Sequence, residues 1–157
     1  MSLRLTSDAF TNGAPLAARF TCDGANRSPA LAWQDVPPGT RSLALIVDDP
    51  DAPDPAAPKT VWSHWVLYNL PSDSTGLIED VRTDELPAGT REGRNDWDLT
   101  GYGGPCPPIG RHRYFFKLYA LNVALPDLDE PTKDELERAM RGHVLDKAEL
   151  VGTYSRS

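Results

Sequence analysis

The chain of 157 residues has few sulfur-containing side chains and no long hydrophobic run. Its two cysteines, Cys22 and Cys106, are too few for a disulfide framework. No apolar segment approaches the length of a membrane span, and residues 1–8 lack the apolar core of a signal peptide. We therefore expect a cytoplasmic protein without a membrane span, in which both thiols are reduced.

The chain also lacks an excess of positive charge. Its 16 lysine and arginine residues are outnumbered by 23 aspartate and glutamate residues, which gives a formal net charge of −7. An acidic protein is repelled by nucleic acids and by anionic membrane surfaces, so we expect neither as a partner. The field can still be positive locally, because Arg111 and Arg113 flank His112.

Proline and glycine, by contrast, are abundant. Fifteen prolines and twelve glycines predict many turns, which is typical of a loop-rich, mainly β protein. The length and the 39% content of hydrophobic residues fit one domain over residues 1–157. Short apolar and β-forming runs predict strands at residues 3–9, 19–21, 31–33, 42–48, 61–70, 113–123 and 148–154.

One helix is predicted near the C-terminus. Residues 131–141 begin with a proline, carry acidic side chains in the first turn and are followed by Gly142. Residues 72–98 are polar and rich in turn formers, so we expect loops there with one short strand or 3₁₀ turn.

The most informative segment is a loop dense in glycine and proline that leads into a strand. Residues 101–110 contain four glycines and three prolines, a composition that permits a rigid loop with backbone N–H groups turned toward one point. Such an arrangement suits an anion. On the strand that follows, His112 and Tyr114 are two residues apart and therefore share a face beside the loop.

A second loop of similar character lies upstream. An acidic, proline-rich stretch joins the buried strand predicted at residues 43–47 to the strand at residues 61–70. Alternation along the later strand places His64 on the same face as Val66 and on the opposite face from Trp65. Each of the two loops thus has a histidine-bearing strand beside it.

These segments resemble the signature blocks of the phosphatidylethanolamine-binding protein family, also called Raf kinase inhibitor-like. The matching blocks, in the family's order and spacing, are DPDAP at 49–53, WSHWV at 62–66 and GPCPPIGRHRY at 104–114. Further blocks at 22–24, 26–33, 38–40 and 148–154 extend the resemblance across nearly the whole chain, toward the bacterial YbhB/YbcL-type branch. The resemblance implies antiparallel sheets packed as a sandwich with a few peripheral helices.

The resemblance also implies a ligand pocket. The positions that match it are Asp49, Trp62, His64, Gly104, Pro105, His112 and Tyr114. The two histidines and the tyrosine would donate hydrogen bonds to a phosphate-like or carboxylate ligand. The aspartate would orient a histidine or meet an ammonium group, the tryptophan would form an apolar wall, and the glycine and proline would shape the rim.

Each of these residues also has a purely structural interpretation. A strand histidine is often satisfied by a core neighbour, and a strand tryptophan commonly packs in the core. Aspartates before proline commonly cap turns. We favour this last interpretation for Asp51 and the pocket role for Asp49.

Two further expectations concern the loops. Cys22 and Cys106 either approach each other at the pocket mouth, where they could form a redox latch, or are two unrelated small apolar residues. The bond between Ala52 and Pro53 is a candidate cis peptide. The resemblance adds an expectation of strain, even a cis non-proline bond, within residues 59–62.

Two classes of function remain open. The first is a small-ligand binding protein for an anion, phosphate or phospholipid head group; regulation of a kinase or protease partner and a homodimer stay open with it. The second is an enzyme that acts on a small anionic substrate through Asp49, His64 and His112. We favour the first, because the sequence pairs no nucleophile with a base and has no Gly-x-Ser-x-Gly elbow. We expect no cofactor, and no metal either, since the histidines and carboxylates lack a recognised ligand spacing.

Overall fold

The computed structural model describes residues 2–156, which form two antiparallel β-sheets. The strands are β1 (Arg4–Thr6), β2 (Leu31–Gln34), β3 (Ser42–Ala52), β4 (Thr60–Pro71), β5 (Gly76–Leu77), β6 (Arg91–Glu92), β7 (His112–Leu121) and β8 (Val144–Tyr154). The smaller sheet has the order β1-β2-β5 and the larger one the order β6-β4-β3-β7-β8. The predicted fold class, mainly β with antiparallel sheets, is confirmed.

Strand β3 lies at the centre of the larger sheet, between β4 and β7. Its residues 43–47 are all buried, so both faces of the strand are covered. A strand covered on both faces requires apolar residues in succession rather than in alternation. The uninterrupted run at residues 43–47 meets this requirement, and it carries the chain directly to Asp48 and Asp49 at the edge of the core.

The larger sheet separates two hydrophobic cores. One core lies between the two sheets and contains Trp33 of β2 together with Trp65 of β4 and Phe116 of β7. The other core lies on the opposite face of the larger sheet, where Val66 and Tyr68 of β4 pack with residues of a helix. The layers are therefore small sheet, large sheet and helix, held together by burial of apolar surface from both faces of β4.

The helix, α1 (Lys133–Met140), confirms the C-terminal prediction. Thr132 is its N-cap: the hydroxyl accepts a hydrogen bond from the backbone N–H of Glu135, and the Glu135 carboxylate accepts one from the N–H of Thr132. Leu136 and Met140, one turn apart, are buried against the larger sheet. None of the helices in residues 2–156 is long and apolar enough to cross a membrane.

One predicted strand, at residues 19–21, is wrong. Ala18–Phe20 is a 3₁₀ helix, in which the hydroxyl and the backbone N–H of Thr21 both donate to the carbonyl of Ala18. The side chain of Phe20 is completely buried, so a single anchor fixes this turn in place. Three residues are too few for periodicity to distinguish a strand from a turn.

The loops confirm part of what was expected of them. The segment of residues 72–98 holds the short strands β5 and β6 and a 3₁₀ helix, Thr83–Glu85. The bond between Ala52 and Pro53 is cis, as predicted. Within the described residues 59–62 the peptide bonds are all trans, so the expected cis non-proline bond is wrong.

Candidate functional site

A cavity of about 280 Å³ lies where β3, β4 and β7 meet the loop that precedes β7. Its lining residues are Asp49, Ala52, Pro53, Trp62, His64, Trp97, Cys106, Pro107, Pro108, His112 and Tyr114. Five of the seven residues that the sequence singled out are among them. Gly104 and Pro105 do not line the cavity, so their place at its rim stays a prediction. The volume lies just below the usual range for small-molecule sites, which begins at about 300 Å³.

Asp49 and His112 form a buried pair at one side of the cavity. The Nδ1 atom of His112 lies 2.6 Å from Oδ2 of Asp49, and its Nε2 atom lies 2.8 Å from the carbonyl oxygen of Ile109. A carbonyl only accepts hydrogen bonds, so Nε2 carries a proton. Burial raises the pKa of Asp49, although the hydrogen bond from His112 opposes this shift. Both nitrogens of His112 are therefore engaged within the protein, and neither is free to donate to a ligand as we expected.

The two aspartates of the first loop have different roles. Oδ1 of Asp49 accepts a hydrogen bond from the backbone N–H of Asp51 at 2.7 Å, so Asp49 itself caps the turn. The Asp51 carboxylate instead binds the guanidinium of Arg113 at 2.9 and 3.0 Å and the Arg113 backbone N–H at 2.9 Å. These bonds lower the pKa of Asp51. The turn-capping role predicted for Asp51 is wrong, because the extended β3 places its carboxylate beside β7.

A β-bulge brings His64 into the cavity. Trp65 pairs with Val47 whereas Ser63 pairs with Asp48, so His64 is an extra residue on β4. The extra residue resets the alternation of the strand, and the His64 ring packs against the ring of Tyr114 with a centroid separation of 5.2 Å. The prediction that His64 shares a face with Val66 is wrong, since Val66 packs in the core beneath the helix.

The hydrogen bond of His64 fixes its tautomer. Its Nδ1 atom lies 2.7 Å from the carbonyl oxygen of Gly103, which can only accept, so Nδ1 carries the ring proton. The Nε2 atom has no hydrogen-bond partner among residues 2–156 and remains an acceptor. Burial lowers the pKa of His64 to about 4, with His112 adding to the shift, so the ring is neutral near pH 7.

Two buried donors at the cavity have no partner within residues 2–156: the Tyr114 hydroxyl and the Trp62 indole N–H. The Tyr114 side chain is 1% exposed, and burial raises its pKa, so the hydroxyl keeps its proton. Most buried polar groups in folded proteins are paired. Unpaired donors in a cavity wall therefore mark positions where a bound molecule would be stabilised.

Trp97 completes the cavity, and the sequence reasoning missed it. Its ring contacts those of Trp62 and His64, with centroid separations of 5.6 and 5.0 Å. Gly103 lies so close to this indole that any side chain at position 103 would collide with it. Trp97 ends a polar segment whose local pattern indicates only a loop, so the contact depends on tertiary structure.

The Gly/Pro loop uses its first amides for its own attachment. The N–H of Gly103 donates to the carbonyl of His64 at 2.9 Å, and the N–H of Gly104 donates to the Asn26 side chain at 2.8 Å. A side chain at position 104 would collide with the carbonyl of Phe20. These two amides therefore do not converge on an anion as the composition led us to expect. They fix the loop against β4 and against the loop that contains Asn26.

Cys22 and Cys106 form a disulfide with a Cα–Cα distance of 5.4 Å, so of the two alternatives left open by the sequence the approach of the two residues is the one found. The expectation that both thiols are reduced is wrong for this structure. The neighbouring backbone explains the pairing, because the N–H of Cys22 donates to the carbonyl of Pro105 at 3.1 Å. Since Cys106 also lines the cavity, the disulfide joins the cavity wall to the loop after the 3₁₀ helix. Within the described chain, no cluster of His, Cys, Asp and Glu side chains is arranged to hold a metal ion.

The fold and the cavity together define a mainly β protein of two packed antiparallel sheets, with a small site where strands of the larger sheet meet a Gly/Pro-rich loop. The chain belongs to the phosphatidylethanolamine-binding protein family, whose model matches residues 6–155. This match covers the strands and loops that carry all the cavity residues.

Several relatives are similar over their whole length. A UPF0098 protein of Methanothermobacter thermautotrophicus is 49% identical over 98% of this chain and 99% of its own. The crystal structure of a phosphatidylethanolamine-binding protein homolog from Chlamydia trachomatis aligns with a TM-score of 0.90 at 40% identity, covering 99% of both chains. Escherichia coli YbcL, described as a new member of the mammalian family, also aligns with a TM-score of 0.90, at 34% identity and full coverage of both chains.

Proposed function

We propose that this protein binds a small anionic ligand, such as a phosphate ester or a carboxylate, in the cavity that contains His64 and Tyr114. The observation that carries the proposal is the pair of buried, unpartnered donors, the Tyr114 hydroxyl and the Trp62 indole N–H. An oxyanion offers several acceptor oxygens and would satisfy both donors at once. Membership of the phosphatidylethanolamine-binding protein family supports a ligand-binding role in general.

The charges around the cavity favour weak binding. The chain carries a net charge of −7, and Asp49 lies in the cavity wall. An anion must approach through this field without a free cationic side chain among the lining residues. We expect dissociation constants in the range of roughly micromolar to millimolar.

A second candidate function is catalysis on a small anionic substrate through Asp49, His64 and His112. The hydrogen bond of 2.6 Å between Asp49 and His112 favours it, because a carboxylate that orients a histidine is a common acid–base arrangement. Against it, Cys106 is held in the disulfide, and Ser63 does not line the cavity. Without a nucleophile beside the pair, we place binding before catalysis.

The binding proposal is tested by titrating the purified protein with inorganic phosphate and with acetate, following backbone amide shifts by NMR at about pH 6. We expect shifts at the cavity residues and at least a roughly tenfold loss of phosphate affinity in His64→Ala. The matched control is His143→Ala, since His143 bonds to Asn122 and does not line the cavity. Phosphate and acetate that produce no shifts in the cavity would contradict the proposal.

The enzyme alternative is tested separately, by turnover of a panel of phosphate esters and peptides. We expect no turnover above that of a His112→Phe variant. Turnover that disappears in this variant while folding is retained would replace the binding proposal with the enzymatic one.

A cytoplasmic location also remains part of the proposal, and the disulfide bears on it. Disulfides are rare in cytosolic proteins of mesophiles and persist in oxidising compartments. Trapping of thiols with an alkylating reagent in intact cells, followed by mass spectrometry, would count the free cysteines. Two alkylated cysteines would support the cytoplasm, whereas an intact disulfide would favour an oxidising compartment.

A further inference from the structure

We infer that the cavity binds its anionic ligand as an acid, which donates a hydrogen bond to Nε2 of His64 while it accepts one from the hydroxyl of Tyr114. The inference rests on the proposed function and adds the chemical form of the ligand. The preferred class is the phosphomonoester monoanion, which keeps one P–OH group. A fully ionised monoester and a phosphodiester both lack that proton.

The hydrogen bond at His64 has a fixed direction. Its Nδ1 proton is committed to the carbonyl of Gly103 at 2.7 Å. The neutral ring then has only a lone pair at Nε2, and a lone pair attracts a donor and repels an anionic oxygen. The residue is only 3% exposed, so the repulsion between this lone pair and an anionic oxygen would be weakly screened.

His112 cannot supply the missing donor. Its ring nitrogens lie 2.6 Å from the Asp49 carboxylate and 2.8 Å from the Ile109 carbonyl. Both contacts are hydrogen bonds whose protons belong to His112 or Asp49, so no ring N–H is left for a ligand. The cavity thus offers two donors, on Tyr114 and Trp62, and one acceptor, on His64. A ligand complements this set when it carries acceptor oxygens together with one hydroxyl.

Three titratable groups on the neighbouring strands face His64. On β3 and β7 these groups are Asp49, His112 and Tyr114. Asp49 and His112 are bonded to each other, and the Tyr114 hydroxyl keeps its proton because burial raises its pKa. Placing an added proton on His64 would put a charge on a buried ring, which burial disfavours by lowering its pKa. A proton carried by the ligand avoids that cost.

The loops that pack on the imidazole supply no proton either. The segment with Trp97 also carries Asp96, whose carboxylate accepts the backbone N–H of Ser63 at 2.7 Å. The loop before β7 carries Tyr102, whose hydroxyl donates to the carbonyl of Phe20 at 2.7 Å. Both of these titratable groups are committed to backbone partners, which leaves the ligand as the source of the donor.

The test compares methyl phosphate with dimethyl phosphate by calorimetry from pH 5 to pH 8. The second pKa of a phosphomonoester is about 6, so at pH 5 both probes carry one negative charge but only methyl phosphate carries a P–OH group. We expect methyl phosphate to bind at least about tenfold more tightly at pH 5, a difference of one hydrogen bond to a buried partner. Above its second pKa, its affinity should fall roughly tenfold for each pH unit.

The variant His64→Gln provides the matched control, because its amide group can donate to an ionised oxygen. In this variant the preference for methyl phosphate should shrink and its pH dependence should flatten. A readout without ligand is the pair of ¹⁵N shifts of the His64 ring, which should report the Nδ1–H tautomer from pH 5 to pH 8. An Nε2–H tautomer in the free protein would overturn the inference.

The outcomes separate the inference from the function on which it rests. Equal affinity for the two probes at pH 5, or a methyl phosphate affinity that stays constant to pH 8, would overturn the inference and leave anion binding intact. A failure of both probes to bind at every pH would remove the inference together with the proposed anion site. The same pair also separates sources, since the phosphodiester of a phospholipid head group resembles the second probe.

Discussion

The two histidines of the cavity differ in how much of each ring the protein itself uses. His112 has both nitrogens bonded, to Asp49 and to the carbonyl of Ile109. His64 has one nitrogen bonded, to the carbonyl of Gly103, and the other without a partner in the described chain. Two residues that look equivalent in the sequence therefore have different chemistry: the first fixes the wall of the cavity, and the second leaves one ring nitrogen without a partner in the described chain.

The origin of this difference lies in what holds each ring in place. His112 is positioned by the regular pairing of β7 with β8, where it lies opposite Tyr154, and by the carboxylate of Asp49 on β3. His64 is positioned by a bulge in β4 and by a loop attached through Gly103, Gly104 and the disulfide. Regular sheet pairing resists local opening more than a loop does, so changes to the loop should alter the environment of His64 first.

The largest expected effect comes from removing the disulfide. The two cysteines are 84 residues apart, and the chain-entropy estimate for a loop of this size is about 4.5 kcal/mol. In the double variant Cys22→Ser/Cys106→Ser, we expect a loss of stability of this order in denaturant unfolding. We also expect the pKa of His64 to rise from about 4 toward its ordinary value as the wall loosens.

Histidine ¹⁵N spectra of the disulfide variant check whether the two rings respond differently. The hydrogen bond between His112 and Asp49 should persist, since β3 and β7 do not depend on the loop. A His64 titration identical to that of the unmodified protein would show that the disulfide does not hold the wall.

The next prediction compares how much each histidine contributes to the free energy of unfolding. His112→Phe leaves the Asp49 carboxylate buried without its histidine partner, and removing one partner of a buried pair of this kind typically costs about 3–5 kcal/mol. His64→Phe leaves the Gly103 carbonyl unpaired, for which about 1–3 kcal/mol is typical. Urea unfolding of the two variants measures the difference. The double variant Asp49→Asn/His112→Phe should recover part of the loss, and a larger loss in His64→Phe than in His112→Phe would contradict the assignment.

A third effect is the dependence of stability on acid. The pKa of His64 is about 4 in the folded chain against an ordinary value of 6.5, so between these values the unfolded chain binds the additional proton. Stability therefore falls as pH drops from about 6.5 to about 4, by roughly 3 kcal/mol for this group. His64→Phe should remove this part of the pH dependence, whereas His143→Ala should not. If the stability of His64→Phe and that of the unmodified protein fell equally as the pH dropped, the His64 ring would not be buried in its neutral form.

The smallest effect on stability is expected at Tyr114. Its hydroxyl is buried without a partner, so Tyr114→Phe should leave stability unchanged or raise it by up to about 1 kcal/mol. Phosphate affinity should fall roughly tenfold, because the ligand loses a donor. Tyr102→Phe is the matched control, since that hydroxyl already donates to the carbonyl of Phe20. The control should lose stability and keep its affinity, and unchanged phosphate binding in Tyr114→Phe would exclude this hydroxyl as a ligand contact.

Much of the fold was predictable because it is encoded over short stretches of chain. The apolar run at residues 43–47 predicts a buried strand, and Pro131, the acidic first turn and Gly142 mark the two ends of the helix. The 3₁₀ helix Ala18–Phe20 was not predictable in this way. Three residues are too few to show a periodic pattern. Their conformation is fixed by the buried ring of Phe20 and by the hydroxyl of Thr21.

In the candidate site, local pattern was sufficient for residues on one regular strand and failed where two segments meet. The alternation of β7 places His112 and Tyr114 on one face without reference to the rest of the molecule. The position of His64 depends on a mismatch of one residue between β3 and β4, which neither strand encodes alone. The contact of Trp97 with Gly103 likewise joins segments whose own sequences indicate only loops.

Features that the sequence predicts differ from those that only the folded structure shows in how far apart along the chain the interacting residues lie. Composition, periodicity and capping act over a few residues, so the sequence alone was enough for the mainly β class, the helix and the pairing of His112 with Tyr114 on one strand face. The bulge at His64, the disulfide between Cys22 and Cys106 and the ion pair of Asp51 require segments far apart in the chain to meet. Only the folded chain therefore decides which nitrogen atom faces the cavity and which donors there remain unpaired.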